Sequence, residues 1–272
     1  MLDDGRVERY SRQIILPEVG GRGQQRLLGS SVLIIGAGGL GSPAAIYLAA
    51  AGIGRLGIVD FDTVDLSNLT RQVLHGTPDV GMAKAESAAA TIRRINPDCE
   101  AVPYRTRATA ENVMELIDGY DLVLDGSDNF PTRYLMNDAC VMARKPLLFA
   151  GILGFFGQAM TILPGESACL RCLLPEPPPP GVLPSCAEAG VLGPVAGLLG
   201  LIQATEAIKF LLGAGGLLTD RLLMVDALSC NFSEMPVERN EVCSVCGDDP
   251  SITELRSGST ACGTWTHKEV SD

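Results

Sequence analysis

The chain has 272 residues, 46% of them hydrophobic, with nine cysteines and a formal net charge of −11. That length buries a sizeable core without disulfides, and no charged-then-apolar leader precedes the first motif, so a reducing cytoplasmic setting is expected and paired cysteines point to metal or catalysis. The acidic balance, with no basic stripe, argues against nucleic acid as a direct partner.

The N-terminal run VERYSRQIILPEVGGRGQQRLLGS reads as a short polar helix, an extended apolar turn and a second helix. From Ser31 strands and helices alternate: SVLIIG, a helix over about 40–51, RLGIVD, a helix over about 82–95, EAVPYRT, a helix over about 110–118, DLVLDG, a helix over 133–143, and PLLFAG. Strands spaced by helices of this length predict a parallel sheet covered on both faces. The character changes near Gly151, where GFFGQAMTILP, RLLMVDA and NFSEMPVER read as extended segments that continue the same sheet in antiparallel fashion. PEPPPPG at 175–181 is expected to be an exposed polyproline-like strap. VLGPVAGLLGLI at 191–202, continued by QATEAIKFLL with Gln203, Glu206 and Lys209, reads as a buried core helix, too short and too interrupted for a bilayer span, so no membrane association is expected.

GAGGLG at 36–41 follows an apolar strand and opens a helix, so Gly36, Gly38 and Gly41 fit G-x-G-x-x-G in its proper setting. Glycines there let backbone N–H groups and a helix N-terminus approach phosphate. Asp60 ends the next strand nineteen residues after Gly41, where a carboxylate accepts hydrogen bonds from ribose hydroxyls. A dehydrogenase would share these features. Beyond Asp60, however, come Asn68, Arg71, Gln72 and Lys84, a polar and cationic set suited to a triphosphate. Lys84 by itself also reads as a solvated lysine at a helix start. The fourth strand ends in LDGSDNFPTR, and Asp125 and Asp128 at its carboxyl end suit magnesium, which takes one or two carboxylates plus phosphate oxygens; a helix cap and a solvated turn are the alternative for such aspartates.

Two C-x-x-C pairs, Cys169 with Cys172 and Cys243 with Cys246, can close a tetrahedral thiolate site, which reads as structural zinc; a redox role is the alternative. Cys99, Cys140 and Cys230 lie in or beside apolar segments and are expected to be inert fillers. No role is assigned to Cys262 in the tail. Cys186, on the loop before the core helix, is read either as a nucleophile or as a cysteine with no role.

RYSRQIILPEVG, GAGGLG, DFDTVDLSNLTRQ, VGMAKAES, LDGSDNFPTR, CLRC, SCAEAGVLGP and CSVCG, in this order, resemble the MoeB/ThiF group of the ubiquitin-activating enzyme superfamily over roughly residues 6–248. The resemblance implies a Rossmann-like, mostly parallel α/β sheet covered by helices, with antiparallel C-terminal strands and a four-cysteine zinc site. It also implies ATP- and Mg²⁺-dependent adenylation of the Gly-Gly carboxylate of a small ubiquitin-like sulfur-carrier protein, with pyrophosphate released. Nucleotide contacts are then expected from Gly36, Gly38, Gly39, Gly41, Asp60, Asp62, Ser67, Asn68, Leu69, Thr70, Arg71, Gln72, Lys84, Asp128 and Asn129. Arg71, Lys84 and Asp128 would act in catalysis, Asp128 would hold the magnesium, and Cys186 would link covalently to the carrier. Arg12 resembles an arginine that this family reaches into the neighbouring subunit of a homodimer; a surface helix arginine is the alternative. A single ATP-binding domain is expected over 1–249, with N-terminal helices at 1–30, a nucleotide-binding half at 31–150 and a carrier- and zinc-binding half at 151–249. A flexible tail is expected at 250–272. Too few residues follow Cys246 for a sulfurtransferase domain, so a separate sulfur donor is expected. A non-catalytic scaffold that binds a ubiquitin-like protein is the competing reading, against which Arg12, Arg71, Lys84 and Asp128 count.

Overall fold

The structure, a computed structural model, describes residues 2–179 and 189–256. The end of the proline strap, Cys186 and the segment 257–272 with Cys262 lie outside the described residues.

Two N-terminal helices come first, α1 (Asp4–Ile14) and α2 (Gly20–Leu28). Asp3 caps α1 by accepting from the Arg6 N–H, which satisfies one orphan donor of the first turn. The alternating segment then forms β1 (Ser31–Ile35), α3 (Gly41–Ala51), β2 (Arg55–Val59), α4 (Lys84–Ile95), β3 (Glu100–Tyr104), α5 (Val113–Ile117), β4 (Leu122–Asp125), α6 (Phe130–Ala143) and β5 (Leu147–Leu153). After it come β6 (Phe156–Ile162), a short α7 (Leu170–Leu173), the long α8 (Gly193–Leu212), β7 (Arg221–Asp226) and β8 (Asn231–Pro236). The strand order is β3-β2-β1-β4-β5-β6-β7-β8. The first five strands pair in parallel and the last three join antiparallel. This is the expected Rossmann-like sheet with its antiparallel extension.

Strands buried on both faces should be mostly apolar, and in β1 and β4 the runs Val32–Ile35 and Leu122–Leu124 are apolar and buried, with Ser31 opening β1 and buried Asp125 ending β4. One face packs α5, α6 and α7 against the sheet, and the other packs α3, α4 and α8. At 20 residues α8 is apolar and long enough to cross a membrane by length and composition alone, so the length argument made from the sequence does not hold. Its hydrogen bonds decide the matter. Gln203 Nε2 donates to the carbonyls of Asp125 and Leu148, both at 2.8 Å, tying α8 to β4 and β5. Buried Glu206 accepts from Thr161 Oγ1 at 2.6 Å and from the Leu218 N–H at 2.7 Å, and pairs with Lys209. Polar groups so placed are satisfied only inside this fold, and α8 is the core helix anticipated.

A second difference concerns cysteine. Cys99 and Cys140 are buried fillers, with burial pushing the Cys99 thiol up to about 12. Cys230 is exposed, at a left-handed φ of 54° in the β7–β8 turn, because β8 is an edge strand whose residues are all exposed. It is not a filler.

Removing Glu206 leaves a buried N–H and a buried hydroxyl without partners, so Glu206→Ala should cost about 2–4 kcal/mol of stability. Urea unfolding monitored by far-UV circular dichroism measures this.

Candidate functional site

In a doubly wound sheet the connections leave β1 and β4 in opposite directions, and a crevice opens between their carboxyl ends. The fold places an open cleft there. Loops following β1, β2, β3 and β4 line it, and α4 and α6 begin beside it.

The β1–α3 loop must turn sharply and pass close to β4. Gly36 has φ of 91°, and a Cβ there would sit 2.9 Å from the Gly126 carbonyl oxygen. A Cβ on Gly41 would come within 1.9 Å of the Gly36 oxygen, an impossible contact. Glycine is therefore demanded by close approach at both positions. Gly36, Gly38 and Gly39 line the cleft, whereas Gly41 lies behind it as the first residue of α3.

Asp60 is the hub of the loop geometry. Its Oδ2 accepts from the Ala37 N–H and its Oδ1 from the Asp62 N–H, each at 2.8 Å. Burial raises its pKa above the usual carboxylate value, against the lowering effect of these two bonds. Each oxygen keeps further lone-pair capacity on the cleft side.

Lys84 opens α4 and is buried, with its Nζ 3.3 Å from Asp62 Oδ2. Arg71 and Gln72 also line the cleft. The remainder of SNLTRQ does not: Ser67, Asn68, Leu69 and Thr70 shape the turn that presents Arg71. The Asn68 carbonyl accepts from the N–H groups of Arg71 and Gln72, its side chain accepts from the Asp65 N–H, and Arg71 Nη1 donates to the Ser67 carbonyl.

At the end of β4, Asp128 and Asn129 line the cleft. Asn129 caps α6 by accepting from the Thr132 N–H at 3.0 Å. Asp125 corrects the sequence reading of an aspartate pair. It is fully buried in β4 and off the cleft lining, with Oδ1 accepting from the Ser127 N–H and Oδ2 unpartnered. Desolvation raises its pKa, opposed by the nearby Arg133. Only Asp128 of the two is open to a metal.

Several lining residues escaped the sequence reading: Phe61, Thr106, Arg107, Ser127 and Arg133. The Arg107 guanidinium lies 4.0 Å over the Phe61 ring. Arg133 is buried at the floor with Nε unpartnered, next to the unpartnered Ser127 hydroxyl. EAVPYRT reads as a strand, and in this topology any loop after a parallel strand reaches the ligand edge, a signal that points to Thr106 and Arg107.

Arg12 sits elsewhere. It is exposed, in the last turn of α1. The adjacent Gln13 donates to the carbonyl of Ala51, the C-terminal residue of α3. The glycine loop is at the opposite end of that 11-residue helix, about 16 Å away.

The four cysteines of the two C-x-x-C pairs do converge, with all four Sγ atoms within 4.8 Å of one another. Cys169 approaches Cys243 at 3.7 Å and Cys172 approaches Cys246 at 3.3 Å. Tetrahedral zinc with Zn–S bonds near 2.3 Å separates its sulfurs by about 3.8 Å. The backbone and a side-chain amide brace the cluster: the Asn240 N–H donates to Cys172 Sγ, and Asn137 Nδ2 to Cys169 Sγ. The set fits a metal that takes four thiolates. Arg171, inside the first pair, forms a two-pronged contact with Asp138 of α6 at 2.8 and 2.7 Å, fixing the knuckle to that helix.

A mostly parallel doubly wound sheet, a glycine loop at its switch point and a cleft holding both cationic and acidic groups define an enzyme that handles phosphate. The chain matches the ThiF family over residues 10–245 and belongs to it; it is an adenylyltransferase. It is 50% identical over 262 residues to the sulfur carrier protein adenylyltransferase of Thermus thermophilus, covering 94% of this chain and 97% of that one. It is 52% identical over 247 residues to the SAMP-activating enzyme E1 of Haloferax volcanii, covering 91% of each. The adenylyltransferase and sulfurtransferase MOCS3 of Sus scrofa is 49% identical, with 96% of this chain and 58% of that one covered. Among solved structures, E. coli MccB superposes with a TM-score of 0.78 at 24% identity over 89% of this chain and 75% of MccB, a likeness of fold. Its crystal structure with ATP gives a TM-score of 0.75 at 25% identity, covering 88% and 74%.

A carboxyl whose folded pKa is raised favours folding below its unfolded value, and that contribution is lost as pH rises through the folded value. The stability of the wild type relative to Asp125→Asn should therefore decline as pH climbs from about 4 toward neutrality. Denaturant melts of both proteins across that range check the sign.

Proposed function

We propose that this chain uses ATP to adenylate the C-terminal Gly-Gly carboxylate of a small ubiquitin-like sulfur-carrier protein, releasing pyrophosphate and priming the carrier for thiocarboxylate formation. The observation that carries the reading is the convergence of Arg71, Lys84, Arg133 and Asp128 around the glycine loop in one cleft. The names of the relatives at about 50% identity support the same reaction class.

The chemistry is demanding because both reactants are anions. A carboxylate oxygen of the carrier attacks the α-phosphorus of ATP, the bond from that phosphorus to the oxygen bridging to the β-phosphate breaks, and pyrophosphate leaves with the electron pair. No general base is required, since the attacking carboxylate is ionised at neutral pH. The site must instead align the two groups and neutralise charge. The backbone of Gly36–Gly39 receives phosphate at the N-terminus of α3, and Asp60 accepts from the ribose. Lys84 and Arg71 meet the phosphates, with Asp62 holding Lys84 in place beforehand. Arg133 at the floor is positioned for the carrier's carboxylate.

Two metals belong to the reading. Asp128 would hold Mg²⁺ together with phosphate oxygens, and that ion supplies charge neutralisation on the triphosphate. The four cysteines would hold Zn²⁺, tying the segment after β8 to α7 and α6 and adding folding free energy. Arg12, remote from its own cleft, would serve the cleft of the partner subunit in a homodimer. The nucleophilic role of Cys186 falls outside the described residues and takes no part in the adenylation step.

Purified protein should exchange pyrophosphate into ATP only when a Gly-Gly-terminated ubiquitin-like protein is present, and Lys84→Ala and Asp128→Ala should each lower exchange about 100-fold or more while still melting cooperatively. No exchange with any of a panel of such carriers would overturn the reading. Mixing Arg12→Ala with Lys84→Ala should restore part of the activity by forming one intact site per heterodimer; no recovery despite subunit exchange would place Arg12 outside the reaction. Metal analysis should return about one zinc per chain, and a strong chelator should lower the melting temperature.

A further inference from the structure

His75 ends the run SNLTRQVLH and is only 7% exposed. Both of its ring nitrogens are engaged: Nε2 lies 3.1 Å from the Ala37 carbonyl oxygen, and Nδ1 lies 2.8 Å from Ser87 Oγ. A carbonyl only accepts, so Nε2 carries the hydrogen, and the neutral ring accepts from the Ser87 hydroxyl at Nδ1. Burial lowers the imidazole's pKa; Lys84 also lowers it, while the Ala37 carbonyl, Asp60 and Asp79 act in the opposite direction.

The two partners belong to the two halves of the cleft. Ala37 stands between Gly36 and Gly38, with its N–H bound to Asp60 and its carbonyl also accepting from Ser42 Oγ at 3.1 Å. Ser87 is one turn along the helix that Lys84 opens. The ring therefore spans from the phosphate cradle to the helix that presents the lysine. We propose that His75 is a positioning residue of the site, its Nε2-protonated imidazole setting the separation between the glycine loop and Lys84. The inference rests on the nucleotide reading given above, and it adds a residue whose side chain touches no ligand.

The test uses full-length His75→Gln and His75→Asn. A glutamine amide nitrogen reaches the place of Nε2 and keeps the bond to Ala37, whereas an asparagine amide reaches only the place of Nδ1. Each variant loses one buried hydrogen bond, so the two should melt at similar temperatures. Glutamine should stay within about threefold of the wild type in ATP affinity by titration calorimetry and in kcat for exchange, while asparagine should lose about tenfold or more in both, since small misplacements of aligned groups are costly. KM for the carrier should remain unchanged in both variants. Equal losses in the two variants, or no loss in either, would overturn the assignment. Wild-type protein that binds ATP but performs no exchange would refute the proposed reaction and leave the affinity comparison to decide on His75. A wild type that binds no ATP would overturn both.

Discussion

The structure depends on the close approach of two strand ends. At the carboxyl edge of β1 and β4 the Gly36 turn, the Gly126 carbonyl and the start of α3 come so near that a Cβ on Gly36 or Gly41 has no room. That contact lets α3 point its N-terminus into the crevice and exposes the backbone donors of the loop. Its energetic support lies one strand away, where Asp60 commits both carboxylate oxygens to holding Ala37 and Asp62 in place. Residues that would hold a nucleotide first hold the loop itself, so the cradle is organised before any ligand arrives.

The distribution of charge follows from the same edge. The chain as a whole is acidic, yet Arg71, Lys84 and Arg133 gather in the cleft with Asp62 and Asp128 among them, and Asp125 lies buried behind Arg133. Lys84 is kept buried by its pairing with Asp62, since an unpaired cation there would be costly. Cationic groups are thus concentrated at one edge of an acidic chain, a division that net charge alone does not reveal.

The cysteine cluster is part of the same framework. Asn137 and Asp138 on α6 bind the knuckle through Cys169, the Leu170 N–H and Arg171. The N-terminus of α6 carries Asn129, and Arg133 follows one turn later, so one rigid helix runs from the clasp to the cleft floor. The cysteine cluster joins the segment after β8 to α7, while α8 holds β4, β5 and β6 through Gln203 and Glu206.

Much of this was legible in the chain. Alternating apolar runs and helices specified the parallel sheet because local periodicity and strand–helix spacing leave few topologies, and GAGGLG announced the phosphate turn because only glycine tolerates it. The two C-x-x-C pairs announced each other because four thiolates suit one metal. What the sequence could not decide was which residues share space. Asp125 and Asp128 are three apart, yet one is sealed inside a strand and the other faces the cleft, since alternation and burial at a strand end depend on neighbouring strands. The sequence places Arg12 on an N-terminal helix, but only the packing of α1 against the far end of α3 shows how far it lies from its own cleft. His75 carries no motif of its own, and only the fold sets its ring between Ala37 and Ser87. Local pattern determined the elements; long-range packing decided the partners, because hydrogen-bond and charge contacts are made between segments that the chain keeps far apart.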